Sequence, residues 1–193
     1  WTSPAAAARR GPNGAVAAGP GPPRGKLQGT AGAVAAASFS LDGQRILSAS
    51  DHRPARLWEV ATGSEVMSFS GHSAQLMSAV FCEGESMVAT VSRDGTARIW
   101  SLADAQGLRS LKLAGTTFST ATFSPRGEYI LAAGQTGPYQ RSTVCLWETE
   151  TGKELHRIGN PDSVDGLAFS SSGPRVSGRA LRTAVHAETR QLD

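Results

Sequence analysis

The sequence predicts an all-β protein built of repeated four-stranded antiparallel units, and two observations carry the prediction. Three short segments, Ala55-Arg56-Leu57-Trp58, Ala97-Arg98-Ile99-Trp100 and Val144-Cys145-Leu146-Trp147, are versions of one phrase. Upstream of them stand Phe39, Phe81 and Phe123, and a fourth, Phe169, has no tryptophan after it; the spacings are 42, 42 and 46 residues. A fixed period in this range marks a repeat architecture, in which each unit buries its faces against its neighbours.

The second repeat displays the unit most cleanly. Gly71-His72 precedes an apolar stretch, Leu76 to Phe81, and a turn at Cys82-Glu83-Gly84-Glu85 leads to a second stretch, Met87 to Ser92. Arg93-Asp94-Gly95 then forms a tight turn, because Asp-Gly supplies the positive backbone angles of a two-residue hairpin. Thr96 to Ser101 makes the third strand, residues 104–107 a loop, and residues 108–113 a fourth short strand. Four strands of this length joined by short turns form an antiparallel meander. Its inner strands are apolar on both faces, so something must cover both sides of the sheet. Radial stacking of like sheets, the β-propeller, meets that demand. The expectation is a partial propeller of about three to four blades and a fragment of a larger one.

The same residues resemble the WD-repeat (Trp-Asp repeat) family, whose pattern runs from Gly-His through "F-S-P-D-G" and "S-x-D-G-T" to "W-D" and "T-G". Phe39-Ser40-Leu41-Asp42-Gly43, Phe123-Ser124-Pro125-Arg126-Gly127 and Phe169-Ser170-Ser171-Ser172-Gly173 correspond to the first phrase. Ser92-Arg93-Asp94-Gly95-Thr96 corresponds to the second, and Trp58-Glu59 and Trp147-Glu148, followed by Thr62-Gly63 and Thr151-Gly152, to the third. The match covers residues 27–173, in repeats of about 27–69, 70–114 and 115–158 with a degenerate 159–193. The family resemblance of these repeats puts the larger propeller at about seven blades. Departures are plain. Gly29-Thr30, Gly115-Thr116 and Gly159-Asn160 replace Gly-His, Ser50-Asp51-His52-Arg53-Pro54 replaces the Asp-Gly hairpin, and residues 135–142 carry extra length read as a long loop.

Residues 1–26 differ in kind. Seven Ala, five Gly and five Pro leave little apolar surface to bury, so a disordered tail is expected, with Lys26 to Gln28 read as the last strand of a preceding blade. Arg9, Arg10, Arg24 and Lys26 give the tail +4; the whole chain carries +3, so residues 27–193 sum to −1. The sequence pI of about 9.2 therefore comes from the tail. It supports a nucleic-acid contact only there. The tail is neither a secretory signal, since Arg, Gly and Pro break its alanine runs, nor regular enough for an amphipathic transit helix. Cys82 and Cys145 occupy different strand positions and suggest no disulfide framework. A reducing, intracellular setting is expected, cytoplasmic with the nucleus as the alternative.

His72, Asp94, and Thr90 or Ser92 invite a reading as a Ser-His-Asp constellation. The resemblance implies instead a structural hydrogen-bond chain that also holds Trp100, because a buried indole N–H and a buried carboxylate need partners. Metal ligation is disfavoured, since His52, His72, His156 and His186 lie in four different units and neither cysteine has a ligand-spaced neighbour. Arg56 and Arg98 are read as packing their stems beside the tryptophans. No Gly-rich phosphate loop opens a helix, as Gly134 and Gly137 fall in a hairpin.

The expectation is therefore a non-enzymatic scaffold for a protein or peptide partner, without cofactor or metal; the alternative is an RNA- or DNA-associated adaptor that uses the basic tail. By resemblance, partners meet the face formed by the turns before the first strand and the second hairpin, which places Val34, Asp51, Ala74, Leu76 and Arg93 there. Tyr139 and Arg141 in the third repeat's hairpin join them, as residue types favoured at interfaces. The arginine with which some relatives recruit ubiquitin ligases is replaced by Ala61, Ala103 and Glu150. His72→Ala should lower stability by about 1–3 kcal/mol. Chemical denaturation checks this, and an unchanged midpoint would contradict a structural role.

Overall fold

The computed structural model describes residues 33–51, 54–82, 84, 86–137, 141–160, 164–169, 175–180 and 184–188. The expected tail over 1–26, the strand at Lys26 to Gln28, the Gly29-Thr30 pair, the turn residues His52 and Arg53, and Pro138, Tyr139 and Gln140 lie outside the described residues. So does the 170–174 turn.

Every described element is a β-strand. The first sheet comprises β1 (Val34–Phe39), β2 (Arg45–Ser50), β3 (Ala55–Glu59) and β4 (Glu65–Phe69), and the second β5 (Leu76–Phe81), β6 (Met87–Ser92), β7 (Thr96–Ser101) and β8 (Gly107–Lys112). The third comprises β9 (Thr116–Phe123), β10 (Tyr129–Thr136), β11 (Arg141–Glu148) and β12 (Glu154–Asn160). A further sheet holds β13 (Val164–Phe169), β14 (Arg175–Ala180) and β15 (Ala184–Glu188). Strands follow chain order in each sheet and pair antiparallel, so each is a meander and the protein is a partial propeller.

Local chemistry closes the turns. In the first repeat the Arg45 N–H donates to Ser40 Oγ at 2.8 Å while the Ser40 hydroxyl donates to Asp42 at 2.6 Å. In the third, the Tyr129 N–H donates to Ser124 Oγ at 3.0 Å. Serine after phenylalanine is thus a turn clamp, and Cys82 takes its place in the second repeat. The glutamates that follow Trp58 and Trp147 accept the hydroxyls of Thr62 and Thr151, which fold the Thr-Gly turns back on the strand.

The sheets stack face to face, with β1 against β5, β5 against β9 and β9 against β13. Between the first and second sheets lie Leu47, Ala49, Leu57, Phe69, Leu76, Val88 and Trp100. Between the second and third lie Val91, Ile99, Leu111, Phe118, Ile130, Cys145 and Trp147. Leu131, Val144 and Leu146 face Leu167 and Phe169 of the next sheet. Each inner strand of the second and third sheets alternates between two of these cores, which explains why it reads as apolar throughout.

One expectation needs correction. Residues 135–142 do not form a long loop, because Gln135 and Thr136 continue β10 and pair with Ser142 and Arg141 on one side and Thr117 and Thr116 on the other. With ladder partners on both flanks, the added polar residues Gln135, Thr136, Arg141 and Ser142 lengthen the strands. Where the extended ladder shifts register, between Ala133 and Gly134, β9 comes very close. A Cβ on Gly134 would lie 2.8 Å from the Phe118 Cα and closer still to the Thr117 carbonyl. Gly134→Ala should therefore destabilise the protein by about 1–3 kcal/mol. Urea denaturation tests this, and unchanged stability would mean that β9 moves aside freely.

Candidate functional site

The residue set that looks catalytic is assembled by the second sheet and the segment entering it. His72 precedes β5, Thr90 is on β6, Asp94 is in the β6–β7 turn, and Trp100 is on β7 directly after a register shift at Ile99. His72 Nδ1 lies 2.8 Å from Asp94 Oδ2, and Nε2 lies 2.7 Å from Thr90 Oγ1. The Trp100 indole N–H donates to the same Thr90 oxygen at 2.8 Å. One proton arrangement satisfies all of these at once: Nδ1–H donates to the carboxylate, the Thr90 hydroxyl donates to Nε2, and its oxygen accepts the indole.

Electrostatics agree with a neutral ring. Burial is the main influence pushing the His72 pKa below 6.5; hydrogen bonding and attraction to Asp94 oppose it, and the nearby Arg98 charge reinforces it. The His72 and Asp94 side chains are 1% and 6% exposed. We therefore describe their contact as a hydrogen bond to a neutral imidazole rather than an ion pair. Burial would raise the Asp94 carboxyl, but hydrogen bonds from the Thr96 hydroxyl, the Ser73 N–H and His72 outweigh it and hold the carboxyl down at about 2.

Ser92 stands apart from this chain. It accepts the Asp94 N–H at 3.1 Å and donates to the Ala74 carbonyl at 3.1 Å, so it braces the turn and the entry to β5. A nucleophile would need a base, yet both nitrogens of His72 are engaged elsewhere. Thr96 was overlooked among the candidates although it completes the Ser-x-Asp-Gly-Thr phrase, and its hydroxyl donates to Asp94 at 2.6 Å. The other sheets carry reduced versions. Trp58 donates to Ser48 at 2.8 Å. In the third sheet the position of Thr90 is Ala132, which has no acceptor, and Thr116, Thr136 and Thr143 form a hydroxyl relay instead.

The other candidates gather at one end of the stack. Val34, Asp51 and Ala74 are half-buried there, and Arg93 and Arg141 are exposed. Leu76 must be removed from this set: it is 1% exposed and packs with Ala49, Phe69 and Trp100. Its first-strand position is right, but its side chain takes the core face because it is the apolar residue that opens β5. Gln75, its polar neighbour, reaches out instead and its amide donates to Asp51, tying the first two sheets together. Nothing in the sequence singled out that contact. Tyr139 lies outside the described residues. Among the described residues no group of three or more His, Cys, Asp or Glu side chains could hold a metal. Among the described residues no helix is long and apolar enough to cross a membrane.

Stacked meanders with tryptophan-anchored polar clusters define the class, and comparison with known proteins agrees. The model of the "WD domain, G-beta repeat" matches residues 63–101, which run from β4 through β7, so the sequence repeat is offset by one strand from the sheet. The chain is 38% identical over 80 residues to the SIR4-interacting protein SIF2 of Saccharomyces cerevisiae, covering 42% of this chain and 15% of that protein. It is 28% identical over 143 residues to the Arabidopsis thaliana Pre-mRNA-processing factor 19 homolog 2, covering 74% and 26%. With Protein ROOT INITIATION DEFECTIVE 3 of the same plant it shares 30% identity over 125 residues, covering 61% and 28%. Residues 63–101 carry a WD repeat, and the chain spans between 15% and 28% of the length of these relatives.

The depressed His72 and Asp94 values set the pH dependence. A histidine held neutral by the fold contributes stability above its unfolded value of 6.5 and loses that contribution as pH falls from there through the lower folded value. Asp94 adds a second loss between 3.8 and about 2. Stability should fall on acidification below neutrality, by at most about 1.4 kcal/mol per pH unit for one proton. Urea midpoints across the acid range should show the upper limb in the parent and lose it in His72→Gln.

Proposed function

We propose that the protein is a non-enzymatic interaction scaffold that presents the end of its stacked sheets to a protein or peptide partner. One observation carries the proposal: Arg93, in the β6–β7 turn braced by Ser92, and Arg141, the first residue of β11, are exposed at that end. Asp51, held by Gln75, lies at the same end, and Val34 and Ala74 line it. Rigid strands with arginine at their turns suit recognition, because arginine provides several donors in a fixed fork. The engaged, neutral His72 favours a structural reading of the catalytic look-alike. A relative whose printed name describes an interacting protein supports the same class of function.

A second reading, association with RNA, draws on the +4 charge of residues 1–26 and on a relative named for pre-mRNA processing, which also favours a nuclear setting over the cytoplasm. Its sign would be salt-sensitive RNA binding that disappears when residues 1–26 are deleted.

For the scaffold reading, immobilised protein and an Arg93→Glu/Arg141→Glu variant of equal stability are compared in quantitative affinity capture. The variant should lose at least one abundant bound protein that the parent retains. Identical captured sets would remove this surface from the account.

A further inference from the structure

In each of the three four-stranded sheets, the pairing of the third and fourth strands creates the same two positions beside the tryptophan. Opposite Trp58, Trp100 and Trp147 stand Glu65, Gly107 and Glu154. Two residues before each tryptophan stand Arg56, Arg98 and Cys145, opposite Ser68, Ser110 and Arg157. The first sheet fills the pattern with an ion pair, Arg56 to Glu65 at 3.4 Å. The third moves the arginine one strand over, and Arg157 meets Glu154 in a two-point contact at 2.7 and 2.8 Å.

The second sheet keeps the arginine and lacks the acid. The Arg98 guanidinium carbon lies 5.9 Å from the Trp100 ring centre, as Arg56 does over Trp58, but glycine stands where the glutamate would be. Arg98 Nε is buried and has no hydrogen-bond partner. An orphaned donor on a charged group is unfavourable unless something supplies an acceptor. Glycines border the place. A Cβ on Gly71 would come 2.6 Å from an Arg98 terminal nitrogen, so the guanidinium packs closely against that backbone, and one on Gly107 would sit 3.5 Å from the indole.

The surrounding strand has the matching charge. β8 is the outer strand of its sheet and reads Gly-Leu-Arg-Ser-Leu-Lys, with Arg109 and Lys112 exposed and no acidic residue, whereas β4 and β12 each begin with glutamate. Leu108, 40% exposed, adds an apolar foothold beside Gly107.

We propose that Arg98, Trp100, Gly71 and Gly107 form a receptor site for one carboxylate, a glutamate or aspartate of an extended acidic segment of a partner protein. The partner's carboxylate takes the place that Glu65 occupies in the first sheet, where it meets a terminal nitrogen of Arg56, and accepts from a terminal nitrogen of Arg98. Lys112, on the same face of β8 as Ser110 opposite Arg98, draws a flanking acidic residue along the strand, whereas Arg109 lies on the other face and donates to the Glu150 carbonyl. The inference rests on the scaffold reading and names the chemistry of a partner along β8, whose Lys112 pairs with Thr96 just beyond the Arg93 turn.

The test is fluorescence anisotropy of a labelled polyglutamate peptide with the full chain, using a glycine-serine peptide of equal length as control. Saturable binding of polyglutamate alone is expected, weakened about tenfold or more by Arg98→Gln. Gly107→Glu supplies the acid from within, as the sister sheets do, so it should block binding equally while melting no lower than the parent. Arg56→Gln should leave binding unchanged. Absence of binding, or binding that survives Gly107→Glu, overturns the proposal. The scaffold reading is judged separately by the Arg93 and Arg141 variant, so either can fail without the other.

Discussion

A buried indole N–H must find an acceptor, and in this chain that requirement joins parts of the second repeat that are distant in sequence. Trp100 lies in the core facing the first sheet, with its ring centre 5.9 Å from that of Phe69, so water cannot serve as its partner. Thr90 accepts the indole and passes its own proton toward His72, which in turn donates to Asp94. The chain fastens the entry segment, the second and third strands and their hairpin to one another. The apolar faces can then stack in a single register, because the polar atoms between them are already paired. Trp58 and Trp147 occupy matching places beside matching register shifts, with shorter polar chains.

The same requirement keeps His72 from acting as a general base. Catalysis by a histidine needs a ring nitrogen free to exchange a proton with a substrate. Here both nitrogens bond to side chains and the imidazole is almost wholly buried. Sequence proximity of serine, histidine and aspartate is thus a by-product of bracing a hairpin. The cationic Arg98 beside the ring strengthens the preference for the neutral form.

Much of this was legible because periodicity of two, an Asp-Gly turn and a repeated tryptophan are local signals. The strands Leu76–Phe81, Met87–Ser92 and Thr96–Ser101 stand where those signals put them. What escaped the sequence depends on neighbours far along the chain. Residues 135–142 look like a polar loop until β9 is seen to pair with Gln135 and Thr136. Leu76 looks like a surface residue by position, yet its apolar side chain is drawn into the core while Gln75 turns to Asp51. The missing acid beside Arg98 emerges only when three strand pairs are set in register.

The central claim is that His72 is a neutral structural link carrying its proton on Nδ1. Imidazole nitrogen-15 shifts of the native protein at neutral pH measure this directly. The account predicts a single neutral tautomer protonated at Nδ1 and unaffected by added partner. A ring protonated at both nitrogens, or one that exchanges freely between tautomers, would contradict it.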